Sequence, residues 1–316
     1  MRLCFIVEDC YRRDSMPLAV ARQLAEWNHH IDVFEPGRSI AKISDPAHEG
    51  SHDAWILKTV SGGPGLSVLE AVAASGLNTI NDARAIRLVR DKAVAAAIAR
   101  RAGLAFPLTY FAAGPALLHQ IPDEHYPLVV KPTGGNSGRA VHLVSKPAEL
   151  SGIASSLAGE GFLLAQPYVV NPGVDVKVYS IGGELHATIH RSPLHPGLPV
   201  RGHRTALTAE LAQVTTAVGE VFGLDLFGVD LLEGPDGWVV VDVNDFPSFR
   251  CVPNAVQRVA RKILRLAAAG RTQRAEGAAT LLTTARVSAD DREGDGQAGP
   301  SPLVPAADEH TGARLP

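Results

Sequence analysis

The chain of 316 residues is poor in cysteine, poor in aromatic residues and without an excess of positive charge. Its three cysteines, Cys4, Cys10 and Cys251, form no close-spaced pair. That excludes a disulfide-stapled scaffold and a cysteine zinc finger, and it predicts reduced thiols in a cytoplasmic protein. Lys and Arg number 30 against 33 Asp and Glu, a formal charge of −3. A dedicated nucleic-acid binder usually carries a basic excess, so no nucleic-acid partner is expected. No apolar run approaches the ~18–20 residues of a membrane-spanning helix, so no membrane partner is expected. Residues 1–10 do not read as a signal peptide, because Glu8 and Asp9 interrupt their short apolar stretch.

What is present is 46% apolar residues, enough for a large core, on a length that predicts two or three lobes. Strand patterns at 3–8, 31–34, 54–57 and 79–80 alternate with helical patterns at 17–29 and 66–74. That predicts βαβ units and a parallel sheet in a first lobe over 1–85. Residues 82–102 read as helical, with Asp91 placed to cap a second helix. A second lobe, 86–170, continues with strands 128–131 and 141–144 around a glycine-rich loop, a helix over 147–157 and a strand over 163–170. A third, 171–270, holds strands 176–181, 185–190, 226–232 and 238–243, a loop over 192–203, and helices over 210–222 and 255–269. Residues 271–316 have few large apolar groups, five Arg and seven acids. They cannot bury enough surface to offset chain entropy and read as a disordered tail.

The most informative stretch is a pair of apolar strands joined by Pro235-Asp236-Gly237. A three-residue loop there puts Gly234 opposite Trp238 and, stepping outward, Asp230 opposite Asp242. Asn244 lies two residues on and shares the face of Asp242. Two like charges opposite each other in a hairpin are destabilising, and the valines around them lower the local dielectric. A divalent cation removes the conflict, and carboxylate and amide oxygens suit hard Mg²⁺. The alternative is a pair of solvent-facing Asp residues on an edge hairpin.

Lys131 ends a strand just before Thr133-Gly134-Gly135-Asn136-Ser137-Gly138. Gly135 and Gly138 allow backbone N–H groups close to phosphate, Ser137 adds a hydroxyl and Lys131 a point charge. A solvated hairpin tip is the alternative. The spacing is neither that of a P-loop nor of a dinucleotide fingerprint. Lys92 follows Asp91 at the head of a helix; taken alone it is a surface lysine. From His186 to Arg204 the chain carries Arg191, Arg201, Arg204 and four His with no acid. Such guanidinium groups suit phosphate or carboxylate recognition, or form a solvated basic loop.

Taken together, these pieces resemble the ATP-grasp superfamily over about residues 1–270. The pieces are Asp91-Lys92, Val130-Lys131-Pro132 with its glycine loop, Gln166-Pro167-Tyr168-Val169, Gly228-Val229-Asp230 and Val241-Asp242-Val243-Asn244. The resemblance implies an α/β fold with a small N-terminal α/β lobe and two α+β lobes clasping ATP. It places Lys92, Lys131, Gly135, Ser137 and Gly138 at the phosphates, and Gln166, Pro167 and Val169 at the hinge beside adenine. It puts Asp175 near the ribose, and Asp230, Asp242 and Asn244 on Mg²⁺, a site that also admits Mn²⁺. Pro167 stands where an acid is common, and Lys177 where the ribosomal-protein S6 glutamate-ligase group usually has Arg. That group forms amide bonds. Lys177-Val178-Tyr179 and Asp242-Val243-Asn244-Asp245-Phe246-Pro247 are also similar to inositol polyphosphate kinases of ATP-grasp fold. The implied activity is an ATP-dependent carboxylate–amine ligase working through an acyl-phosphate, on small-molecule acid and amine substrates, with Arg191, Arg204 and Lys177 at the reacting groups. A polyol kinase and a non-catalytic nucleotide-binding protein are the alternatives, and self-association into a homo-oligomer stays open.

Overall fold

The structure, a computed structural model, describes residues 1–13, 15–43, 52–60, 62–134, 140–195, 197 and 202–270. Short apolar strands β1 (Arg2–Ile6), β2 (His30–Phe34), β3 (Ala54–Leu57) and β4 (Thr79–Ile80) form a parallel sheet in the order β2-β1-β3-β4. Helix α1 (Met16–Glu26) buries Val20 and Leu24 against Leu3 and Phe5 on one face. Helix α2 (Gly65–Ala74) buries Leu69 with Ile6 and Leu57 on the other. Two faces covered by helices is the expected fate of an all-parallel sheet.

The helical stretch after β4 divides in two: α3 (Ala83–Arg90) and α4 (Lys92–Arg101). The Asp82 carboxylate accepts from the Arg84 N–H at 2.8 Å, and Asp91 accepts from the N–H groups of Ala93 and Val94 at 3.1 and 3.2 Å. Both acids satisfy donors that a helix start leaves orphaned. Strands β5 (Tyr110–Ala112), β6 (Leu128–Pro132), β7 (His142–Val144) and β8 (Leu163–Pro167) make an antiparallel sheet, β5-β8-β6-β7, covered by α5 (Leu150–Leu157).

The third sheet is antiparallel and five-stranded: β9 (Val174–Ile181), β10 (Glu184–Arg191), β11 (His203–Arg204), β12 (Leu226–Gly234) and β13 (Gly237–Asp245), in the order β11-β10-β9-β12-β13. His203, the last residue of the stretch expected as loop, is thus part of β11 and paired with Ile189. Helix α6 (Ala209–Phe222) starts under the Thr208 hydroxyl, which accepts from the Leu211 N–H at 3.2 Å, and ends at Gly223, φ +69°. Its Leu211, Val218 and Phe222 pack with Ala95 and Ala99 of α4 on Val178, Val229 and Val243, so one face of this sheet is core. The opposite face carries the polar residues. A final helix, α7 (255–270), buries Val259 and Ile263 against the first sheet. Residues 271–316 lie outside those described.

The β12–β13 hairpin corrects one detail of the expected register. Gly234 pairs with Gly237, and Trp238 with Glu233, because the turn holds only Pro235 and Asp236. Asp230 nevertheless pairs with Asp242, because the ladder shifts by one residue between Leu231 and Asp230. That bulge leaves Val241 as the extra residue on β13. Turn and bulge offset each other, so the alternation that places both acids on one face survives.

Candidate active site

Antiparallel pairing lines up side chains across strands on each face. On the polar face of the third sheet one such row runs Asp242, Asp230, Lys177, Thr188 and Arg204 from β13 to β11. Beside it Asn244, Gly228, Tyr179 and His186 form a second row, and Asp175 pairs with His190 in a third. The Lys177 Nζ bonds the Asp230 carboxylate at 2.8 and 3.2 Å, and the Asn244 Nδ2 donates to the same carboxylate at 3.2 Å. From α4, the Lys92 Nζ reaches Asp242 Oδ1 at 2.5 Å. Lys131, at the end of β6, donates from Nζ to the carbonyl of the bulged Val241 at 3.2 Å. Three ammonium groups from three elements therefore converge on two carboxylates.

Burial alone would push the Asp242 carboxyl up, but Lys92 and Lys131 outweigh it and hold the group below the usual carboxylate range. Burial works against the charge of Lys177 too, yet Asp230 overcomes it and raises this lysine. Lys131 has no such close carboxylate bond. Desolvation brings it down to about 8, with Asp242 resisting and Lys92 adding to the fall.

These groups close one end of a cleft between the second and third sheets. Lys92, Lys131, Gln166, Pro167, Val169, Asp175, Asp230 and Asp242 all line it. At the other end the chain leaves β8 through Tyr168 and Val169. The buried Gln166 donates from Nε2 to Thr109 Oγ1 at 2.8 Å, so its side chain is spent on structure. The Tyr168 N–H is taken by the Pro127 carbonyl at 2.7 Å, and the Asn171 Nδ2 donates to the Val169 carbonyl at 2.7 Å. Asp175 sits between the two ends. Burial, and then the charge of Asp230, push its carboxyl up to about 6, and its Oδ1 is buried without a hydrogen-bond partner.

Not every expected residue gathers here. Strand alternation puts Arg191 opposite Val174, on the face away from His190 and Asp175. Arg204 shares the polar face but is exposed on the outermost strand, and neither Arg lines the cleft. Gly135, Ser137, Gly138 and Arg201 lie outside the described residues. The walls also contain Ser192, Pro193 and Leu194, from the stretch read as basic, and Leu232 from β12. No periodicity marks the first three; only the path of the chain after β10 brings them in.

Residues 89–266 match the RimK-like ATP-grasp domain, more than half of the chain. The chain belongs to the RimK-like ATP-grasp family. A protein of Haemophilus influenzae named probable alpha-L-glutamate ligase is 25% identical over 251 residues, covering 71% of this chain and 84% of the relative. In fold, the chain is similar to a RimK domain ATP-grasp protein from Sphaerobacter thermophilus, with a TM-score of 0.65 and 21% identity over 84% of this chain and 99% of that one. D-alanine–D-alanine ligase from Bacillus anthracis, solved with ATP, gives 0.65 at 13% identity over 88% and 99%. The α/β ATP-grasp fold and the ligase class expected from the sequence are thereby borne out: this RimK-like chain is an ATP-dependent ATP-grasp ligase. Among its described residues no helix is long and apolar enough to cross a membrane.

Proposed function

We propose that this ATP-grasp ligase joins the carboxyl group of an amino acid or peptide to an amine through an acyl-phosphate, releasing ADP and phosphate. The observation that carries the reading is the cluster of Lys92, Lys131 and Lys177 around Asp230 and Asp242 at the closed end of the cleft. Lys92 and Lys131 meet the polyphosphate there, while the backbone at Pro167 and Val169 faces adenine. Lys177 sits where the γ-phosphate reacts. A substrate carboxylate oxygen bonds to the γ-phosphorus as the bond to the ADP oxygen breaks. The amine nitrogen then bonds to the acyl carbon, phosphate leaves, and the amine gives up its proton. Positioning and fixed charge carry most of this chemistry.

Asp230, Asp242 and Asn244 supply oxygen donors only, on neighbouring positions of one face, which fits Mg²⁺ and admits Mn²⁺. Among the described residues no group of three His, Cys, Asp or Glu could hold a metal, so two acids and one amide are the set available. When bound, the ion offsets phosphate charge. We assign 1–85, 86–170 and 171–270 as the three lobes and place the protein in the cytoplasm, where its three free thiols stay reduced. The name of the Haemophilus influenzae relative makes L-glutamate the first substrate to test.

The test is purified protein with Mg-ATP and either pooled amino acids or pooled inositol phosphates, read by mass spectrometry. Equal ADP and free phosphate, with a product one water lighter than the sum of two amino acids, is expected. Phosphate retained on a polyol would replace this reading with a kinase, and ATP binding without ADP formation with a nucleotide sensor.

A further inference from the structure

The segment after β13 has an unusual backbone. Phe246, Phe249, Cys251 and Asn254 all adopt positive φ, at +35°, +48°, +63° and +51°. The left-handed region is unfavourable for residues with a Cβ, and such residues persist only where their surroundings hold them. Here the hold is visible. Lys58 Nζ donates to the Phe246 carbonyl at 2.7 Å, and Thr59 Oγ1 lies 2.8 and 2.9 Å from the Asp245 carboxylate oxygens. Phe246 and Phe249 are fully buried, with Phe249 against Tyr179 at 5.6 Å between ring centroids. Cys251 Sγ donates to the Gly202 carbonyl at 3.6 Å, and a Cβ on Gly202 would lie 3.0 Å from the His190 Nδ1.

Between these anchors stands Arg250, exposed. The contacts of Phe249 with Tyr179, and of Cys251 with Gly202 beside His190, fix its backbone over the polar face at the Tyr179–His190 end. Among the described residues Arg250 makes no salt bridge. Its charge is felt by both neighbours: it lowers the His190 imidazole along with burial and Lys177 and against Asp230, and it opposes the burial that raises the Tyr179 phenol.

The order along β9 gives this position its meaning. Asp175, Lys177 and Tyr179 succeed one another on one face. The cleft reaches Asp175, Asp230 and Asp242, so a nucleotide seated in it ends near Lys177. The carboxylate that takes the γ-phosphate must then approach from the Tyr179 side. Lys177 is engaged by Asp230, and Arg250 stands on that approach on an anchored backbone.

Resting on the ligase reading above, we propose that Arg250 forms the subsite that binds a carboxylate of an acidic amino-acid substrate. A planar guanidinium suits this role because it can hold a carboxylate through two parallel hydrogen bonds.

The test compares Arg250→Gln, Arg250→Lys and unaltered full-length protein in steady-state turnover, with L-glutamate and L-glutamine as probes. Arg250→Gln should raise KM for L-glutamate at least about tenfold, leave KM for ATP within twofold, and abolish any preference for glutamate over glutamine. Arg250→Lys should recover part of the loss. Because the side chain is exposed, the thermal unfolding of both variants should match that of the parent. A KM for L-glutamate within twofold of the parent's, or equal losses for ATP and glutamate, would overturn the assignment while leaving the ligase reading intact. So would a parent enzyme that ligates other amino acids but not L-glutamate. A parent that forms no ADP with any amino acid removes the ligase reading and this subsite with it.

Discussion

Two acids of one cleft, Asp242 and Asp175, are buried in opposite ways. At the closed end Asp242 meets the Lys92 ammonium at 2.5 Å, and Lys131 stands close by, so its carboxyl is held low. Toward the hinge Asp175 has a buried oxygen without a partner, and its carboxyl rises to about 6. Both acids belong to the same sheet face and the same cleft wall. The difference is compensation: opposite charge within a few ångströms outweighs desolvation at Asp242, whereas at Asp175 the Ser192 hydrogen bond and the charge of Lys177 fall short of burial and Asp230. A permanently charged acid suits a site that collects cations, while Asp175 answers to pH.

The strongest way to break this contrast is Asp242→Asn. It removes the charge but keeps the shape, leaving three ammonium groups around one carboxylate. Turnover should fall by about 10³-fold or more, comparable to losing a main electrostatic contact in other active sites. Circular dichroism should still show a folded protein. Turnover within tenfold of the parent would remove Asp242 from the catalytic set.

Asp175→Asn should act with the opposite sign on stability. In the folded protein this acid binds its proton up to about pH 6, against an ordinary value of 3.8, so the native state holds more protons between those values. Stability therefore falls as pH rises from about 4 to 6, and the full deficit, roughly 1–3 kcal/mol, persists above 6. The amide removes the deficit, so urea unfolding at pH 7.5 should show a more stable variant, with little difference at pH 4. A variant less stable than the parent at pH 7.5 would show that the carboxylate is compensated after all. If Asp175 also meets the ribose, KM for ATP should rise in the same variant.

How much was legible in the sequence follows the same physics. Side-chain alternation along paired strands decides which residues of 226–232 and 238–243 share a face. Asp230, Asp242 and Asn244 could therefore be placed together, although a two-residue turn and a bulge replaced the expected three-residue loop. Asp91 and Gly223 announced helix ends through local chemistry. The basic stretch was different. Its arginines were grouped because they are close in sequence, but the pleat turns Arg191 to the far face and leaves Arg204 on an edge strand. Arg250 gave no local signal at all. Its position depends on Lys58 and Thr59, nearly 190 residues earlier, which hold Asp245 and Phe246. Charges carried by paired strands can be read from alternation; charges carried by connecting segments depend on what anchors the segment.

The smallest expected effect probes the link between local signal and site. Asp91 starts α4 by accepting from Ala93 and Val94, and the next residue is Lys92, whose ammonium reaches Asp242. Asp91→Ala should cost about 1 kcal/mol, the usual worth of such a cap. For a chain of this size that lowers Tm by about 2–4 °C. Asp91→Ser, which keeps a capping oxygen, should recover most of it. Fraying of the first turn also loosens Lys92, so KM for ATP should rise by about two- to threefold in the Ala variant and recover with Ser. A Tm loss without any change in KM would mean that Asp242 and the helix interior hold Lys92 in place without the cap. The charge cluster would then be held by tertiary contacts alone, as Arg250 is.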